Sequence, residues 1–198
     1  MATYLPPIEK PKGLMLKVLY RLLRRQFGKV PSWLSVFSAR MPIGFTSWMG
    51  KVYKLNKKLT LPMDTVSLVR ARVDFLNGCT WCADAGRWYA MTKAPQNLPK
   101  LDALYEYRTS PLFSDKERAL LDFASELTEQ KHISPETFAA VSQRCSEREI
   151  CEVVWLVSTN HLMNINNLGL GIGSDGFCEL VSPRPTTSRR TANNTPSR

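Results

Sequence analysis

Helix-start punctuation constrains this chain most. Ser114-Asp115-Lys116-Glu117 and Ser146-Glu147-Arg148-Glu149 both read Ser-x-x-Glu. In that pattern the serine side chain accepts from the backbone N–H three residues on, and the glutamate reaches back to the serine N–H. Ser134-Pro135-Glu136 sets a capping serine before a proline whose fixed φ suits the first helical position. Apolar residues at helical spacing follow, Leu120, Leu121, Phe123, Ala124 and Leu127 after the first start and Val153, Val154, Leu156, Val157, Leu162 and Ile165 after the last. Gly169, Gly171 and Gly173 terminate that long run. The stretch from Thr65 to Asn77 is rich in β-branched residues, but Val66, Val69, Val73 and Leu76 keep a 3–4 spacing over more residues than a usual strand. No alternating strand pattern survives, so the fold class is all-α.

Upstream, Leu14, Val18, Leu22, Leu23 and Phe27 recur at helical spacing and are interleaved with Lys17, Arg21, Arg24 and Arg25. This is a basic amphipathic helix whose stripe is expected to pack on the core, with a membrane surface as the second reading. Gly28-Lys29-Val30-Pro31 breaks it, and Ser32 is expected to cap a short helix through Phe37. A further helix is expected from about Phe45 to Lys58, with Trp48, Val52 and Leu55 inward. Asp64 or Thr65 would cap the next helix, and Pro95 and Pro99 bracket a loop. The first 60 residues hold twelve of the 27 Lys and Arg but one acid, Glu9, so the basic character belongs to the N-terminal third. That charge fits an acidic partner or an anionic membrane surface and marks no specific nucleic-acid site. At 198 residues and 43% hydrophobic content the chain can bury a core without disulfide staples. No apolar run is long enough to span a membrane, no signal-peptide core follows Met1, and the five cysteines are an odd number. These features point to a reducing, cytoplasmic setting. Three regions result, a Pro-rich and basic segment over 1–27, a helical domain over 28–180, and a disordered tail over 181–198 that is rich in Ser, Thr, Asn, Pro and Arg.

The chemistry-bearing stretch is Asn77-Gly78-Cys79-Thr80-Trp81-Cys82. Asn and Gly both tolerate positive φ and can end one helix before the next begins. Two cysteines one turn apart at a helix start are near free N–H groups and the positive end of the dipole, which favour the thiolate. A single Cys-x-x-Cys without further Cys or spaced His makes a poor zinc site, so a redox dithiol is the first reading and no metal or cofactor is expected. Cys145, Cys151 and Cys178 show no pairing logic.

Val69 to Cys82 resembles the helix, Asn-Gly break and Cys-x-x-Cys of the carboxymuconolactone decarboxylase / AhpD-like family. Phe113 to Ala124 resembles the opening of that family's second conserved helix, Ser146 to Asn167 its long C-terminal helix with an Asn-rich end, and Gly28 to Pro31 a segment ahead of its core. The resemblance implies an AhpD-like helical bundle, here with an extra N-terminal basic segment, assembling as a homo-oligomer, trimer or hexamer. It also implies a thiol peroxidase or disulfide reductase, with Cys82 as the thiolate that attacks peroxide, Cys79 as the resolving thiol, and an external thiol reductant. The family's relay His, four residues after the second cysteine, is Gly86 here, and its relay Glu, twelve before the first, is Ser67. Candidates to support the thiols instead are Asp74 and Asp84 as bases, Arg70 and Arg87 as charges, and His161 from the long helix. Each also has a structural reading, a surface ion pair for the charged residues and a satisfied core position for the histidine. Two other functions stay open, a non-catalytic binding or assembly protein and a decarboxylase or lactone-processing relative.

Overall fold

The computed structural model describes residues 3–181, and every regular element among them is helical. The order is α1 (Leu14–Phe27), a π-helical turn (Leu34–Ser38), α2 (Pro42–Asn56), α3 (Met63–Leu76), α4 (Thr80–Lys93), α5 (Leu98–Asp102), α6 (Asp115–Gln130), α7 (Pro135–Ser142), α8 (Glu147–Leu168) and α9 (Phe177–Val181). The expected disordered tail lies outside the described residues, apart from its first position.

The three serine starts form as the sequence predicts. Ser114 and Ser146 make reciprocal capping boxes with Glu117 and Glu149, and Ser134 accepts from the Thr137 N–H. The β-branched face of α3 packs between α6 and α8. Val66, Val69 and Val73 meet Leu120, Phe123 and Ala124 on one side and Val153, Leu156 and Val157 on the other. Burying side chains of this size stabilises by roughly 1.5–3 kcal/mol each. Glu152, buried on α8, fixes the entry to α3. Its carboxylate accepts from the N–H groups of Thr60 and Leu61 at 2.9 and 3.0 Å and from Arg148 Nε at 2.7 Å. Burial pushes that carboxyl up, but these donors outweigh it and leave it below the usual range.

Several local expectations change. On α1, Leu14, Val18 and Leu22 face outward, with Leu14 78% exposed, whereas Leu16 and Tyr20 are buried. Tyr20 Oη donates to the Ile8 carbonyl at 2.6 Å, and Leu16 and Tyr20 pack on Leu34, with Leu23 and Val30 alongside. The inward arc is thus the one that meets the hook at 30–34. Ser32 caps nothing, because its N–H and hydroxyl both donate to Asp175. Helix α2 begins at Pro42, since a proline is tolerated in a first turn, and its Leu55 is half exposed. Pro62, not Asp64 or Thr65, occupies the N-cap of α3. The stretch at Pro95–Pro99 is a 3-10 turn running into α5.

Candidate active site

The site begins with the chain reversal after α3. Asn77 ends the helix, Gly78 takes φ +66°, and the Cys79 N–H donates to the Asp74 carbonyl at 2.9 Å. Glycine suits this left-handed position because it carries no Cβ. Cys79 is therefore the N-cap of α4, and Cys82 sits in the helix's first turn. Their Cα atoms are 5.3 Å apart and a disulfide joins them. Both are buried, Cys79 at 1% and Cys82 at 9% exposure.

Opposite the sulfurs, α8 presents Asn160, Asn164 and Asn167, all buried and spaced by four and three residues along one face. Asn164 Nδ2 donates both to Cys82 Sγ at 3.1 Å and to Asp74 Oδ1 at 2.7 Å. Asn167 Nδ2 reaches Cys82 Sγ at 3.4 Å and Cys79 Sγ at 3.7 Å. Asn160 Nδ2 donates to Asp74 Oδ1 at 2.6 Å, and Asn160 Oδ1 accepts from Arg70 Nε at 3.1 Å. Asn77 Nδ2 closes the chain, donating to Asn164 Oδ1 at 2.7 Å and lying 3.3 Å from His161 Nδ1.

Asp74 is the electrostatic centre of this network. Burial raises its carboxyl to about 6, against the opposing pull of the Asn164 bond, the Arg70 charge and the Asn160 bond. A carboxyl near 6 is suited to exchanging protons at neutral pH. His161 is lowered by burial and by Lys131, and its Nε2 has no hydrogen-bond partner among the described residues. The other candidates are engaged elsewhere. Arg87 pairs with Asp102 at 2.5 Å on the surface. Asp84 accepts from the N–H groups of Phe177 and Cys178 and from Ser174 Oγ, so it starts α9. Burial pushes its carboxyl up, and those bonds more than reverse the effect. Ser67 returns its hydroxyl to the Met63 carbonyl, and a side chain at Gly86 would meet open space.

A roof closes the sulfurs from the other side. Trp81 Nε1 donates to Asp175 Oδ2 at 2.6 Å, and the same carboxylate takes Ser32 N–H at 2.8 Å, Ser32 Oγ at 2.6 Å and an ion pair with Lys29 at 3.2 Å. Trp33 and Phe177 stack edgewise on Trp81, and Val36 and Ile172 complete the apolar shell. Cys178 packs beside this shell. Burial and the Asp84 contact push its thiol to about 11, so it stays protonated at neutral pH. Among the described residues no group of three or more His, Cys, Asp or Glu is placed to hold a metal ion.

No family model matches the chain. It is 29% identical to the uncharacterized protein YnjA of Escherichia coli (strain K12) over 187 residues, covering 91% of this chain and 98% of that one. Among solved structures, the debrominase Bmp8 superposes with a TM-score of 0.75 at 20% identity, covering 91% of this chain and 96% of that one. The AhpD core of a peroxidase-related protein from Ralstonia eutropha JMP134 superposes with a TM-score of 0.69 at 15% identity, covering 88% and 94%. The fold is AhpD-like. On this AhpD-like frame Asp74 and the asparagine ladder of α8 occupy the neighbourhood of the cysteine pair. The ladder is what sequence reasoning missed. Its signal was three asparagines at positions 160, 164 and 167, which continue the inward face begun by Val153, Leu156 and Val157.

Proposed function

We propose that the protein is a thiol–disulfide oxidoreductase in which Cys79 and Cys82 cycle between dithiol and disulfide while reducing a peroxide. One observation carries this reading: a single amide nitrogen, Asn164 Nδ2, joins Cys82 Sγ to the buried Asp74 carboxylate. The Asn164 and Asn167 amides stabilise a Cys82 thiolate, and Asp74 takes up its proton. Cys82 is the nucleophile because it receives the shorter amide contacts and is the less buried sulfur. The thiolate attacks one peroxide oxygen and the O–O bond breaks. The leaving alkoxide takes the proton held by Asp74, and Cys82 becomes a sulfenic acid. The Cys79 thiol then attacks Cys82 Sγ, water leaves and the disulfide forms. The two thiol hydrogens end in one alcohol and one water, and an external dithiol returns the pair to the reduced state.

The neighbour Bmp8 favours a second reading, since a cysteine variant of that debrominase has been solved with 2,3,4-tribromopyrrole. The same dithiol can supply two electrons to a carbon–bromine bond, so that C–H replaces C–Br, bromide and a proton leave, and the disulfide forms. One experiment separates the two. Reduced protein is mixed in turn with hydrogen peroxide, cumene hydroperoxide and 2,3,4-tribromopyrrole, with thiol loss and bromide release followed together. Stoichiometric disulfide formation with either peroxide, abolished in Cys82→Ser, supports the first reading. Bromide release matched to thiol loss supports the second. Thiols that stay reduced with all three compounds refute both.

A further inference from the structure

The outward face of α1 carries what the core left over. Leu14, Met15, Val18 and Leu22 are all exposed and fall within one arc of about 100° at 3.6 residues per turn. The adjoining arc holds Lys17, Arg21 and Arg24, and Arg25 projects from within the apolar arc, at an angle between Leu14 and Val18. These four cations line a cleft of about 410 Å³ with Glu9 as its one acid. None of the four is in an ion pair or side-chain hydrogen bond with any described residue, although seven ion pairs form elsewhere among the described residues. The chain beyond residue 181 brings no neutralising side chain, since it holds four arginines and no Asp or Glu.

We propose that this face of α1 docks on an anionic lipid surface, with the helix lying in the plane of the headgroups. An apolar arc bordered by a row of basic residues is what an interfacial helix presents. The apolar arc enters the headgroup boundary while the cations meet lipid phosphates and carboxylates. Two other occupants fit less well. A second copy docking face to face would bring eight cations together against two glutamates. A nucleic acid would use the cations but leave four exposed apolar side chains without a partner. No described helix is long and apolar enough to cross a membrane, so the contact is peripheral.

The test is flotation of the full chain with vesicles of phosphatidylcholine alone and with about 30 mol% phosphatidylserine, at low and high salt. The expected result is at least a tenfold preference for the anionic vesicles that falls as salt rises. Arg21→Glu/Arg24→Glu and Val18→Asp/Leu22→Asp are each expected to lower that binding about tenfold, with unchanged thermal melting because all four positions are exposed. Equal binding to both vesicle types, or binding that survives both double variants, overturns the proposal. So does a drop in solution mass on Val18→Asp/Leu22→Asp, which would make the face a contact between copies. Tight binding of a DNA duplex that is indifferent to that variant overturns it in favour of a general polyanion surface.

Discussion

Asp74→Asn isolates the central claim about the site. A carboxyl raised to about 6 in the folded chain, against an ordinary value near 4, binds its proton more tightly folded than unfolded. The stabilisation from that protonated form is fully present below about pH 4 and is lost as pH rises through about 6. Two units correspond to about 3 kcal/mol over that window. Asparagine keeps an acceptor for Asn160 and Asn164 but does not titrate in this range. The assay is urea denaturation of wild type and Asp74→Asn at intervals from about pH 3 to 8, taking the difference in unfolding free energy at each pH. Subtraction removes every other titrating group. Wild type is expected to lose about 3 kcal/mol relative to the variant across the series, with the steepest change near about pH 5 and little further change above about pH 7. A flat difference, or one that rises with pH, would refute the claim that burial outweighs the amide bonds and the Arg70 charge. The same substitution is expected to slow peroxide-driven disulfide formation by about 10²-fold, the lower end for loss of a positioned proton acceptor.

Two further substitutions, one inside the amide network and one in open space on α4, have distinct expected outcomes. Asn164→Ala removes the amide shared by Cys82 and Asp74 and leaves Asn77 Nδ2 only its longer contact with His161, so it should destabilise the fold by about 2–3 kcal/mol. In the reduced protein it should also move the Cys82 alkylation profile upward by about one pH unit, read with iodoacetamide across a pH series. Gly86→Ala places a methyl group in open space inside α4 and should raise stability by about 0.5–1 kcal/mol in the same denaturation assay, leaving the thiol titration unchanged.

What could be read from the sequence was what is local. The capping serines of α6, α7 and α8 act within three residues of themselves, and the Asn-Gly break before Cys79 acts within two. The site is not local. Asn164 meets Asp74 across 90 residues and Cys82 across 82, and asparagines on a helix ordinarily read as solvent-facing. Nothing in spacing alone distinguishes Asp74, buried among amides, from Asp84, which starts a distant helix. Helix α1 misled for another reason. Apolar residues lie on two of its arcs, so periodicity identifies a helix without choosing which arc faces inward, and the Tyr20 contact with Ile8 decides it.

The Asp175 carboxylate has a mechanical consequence. Three stretches distant in the chain, at Ser32, Trp81 and Asp175, hang on one pair of oxygens. Trp81 stands between the two sulfurs in sequence and packs with them in the same apolar shell. A pull on the N-terminal arm is therefore transmitted to the redox pair through Ser32, Asp175 and the indole. If α1 anchors the protein to a surface, the chain leading from that anchor runs through Lys29 and Ser32 to the same carboxylate that holds the indole beside the disulfide.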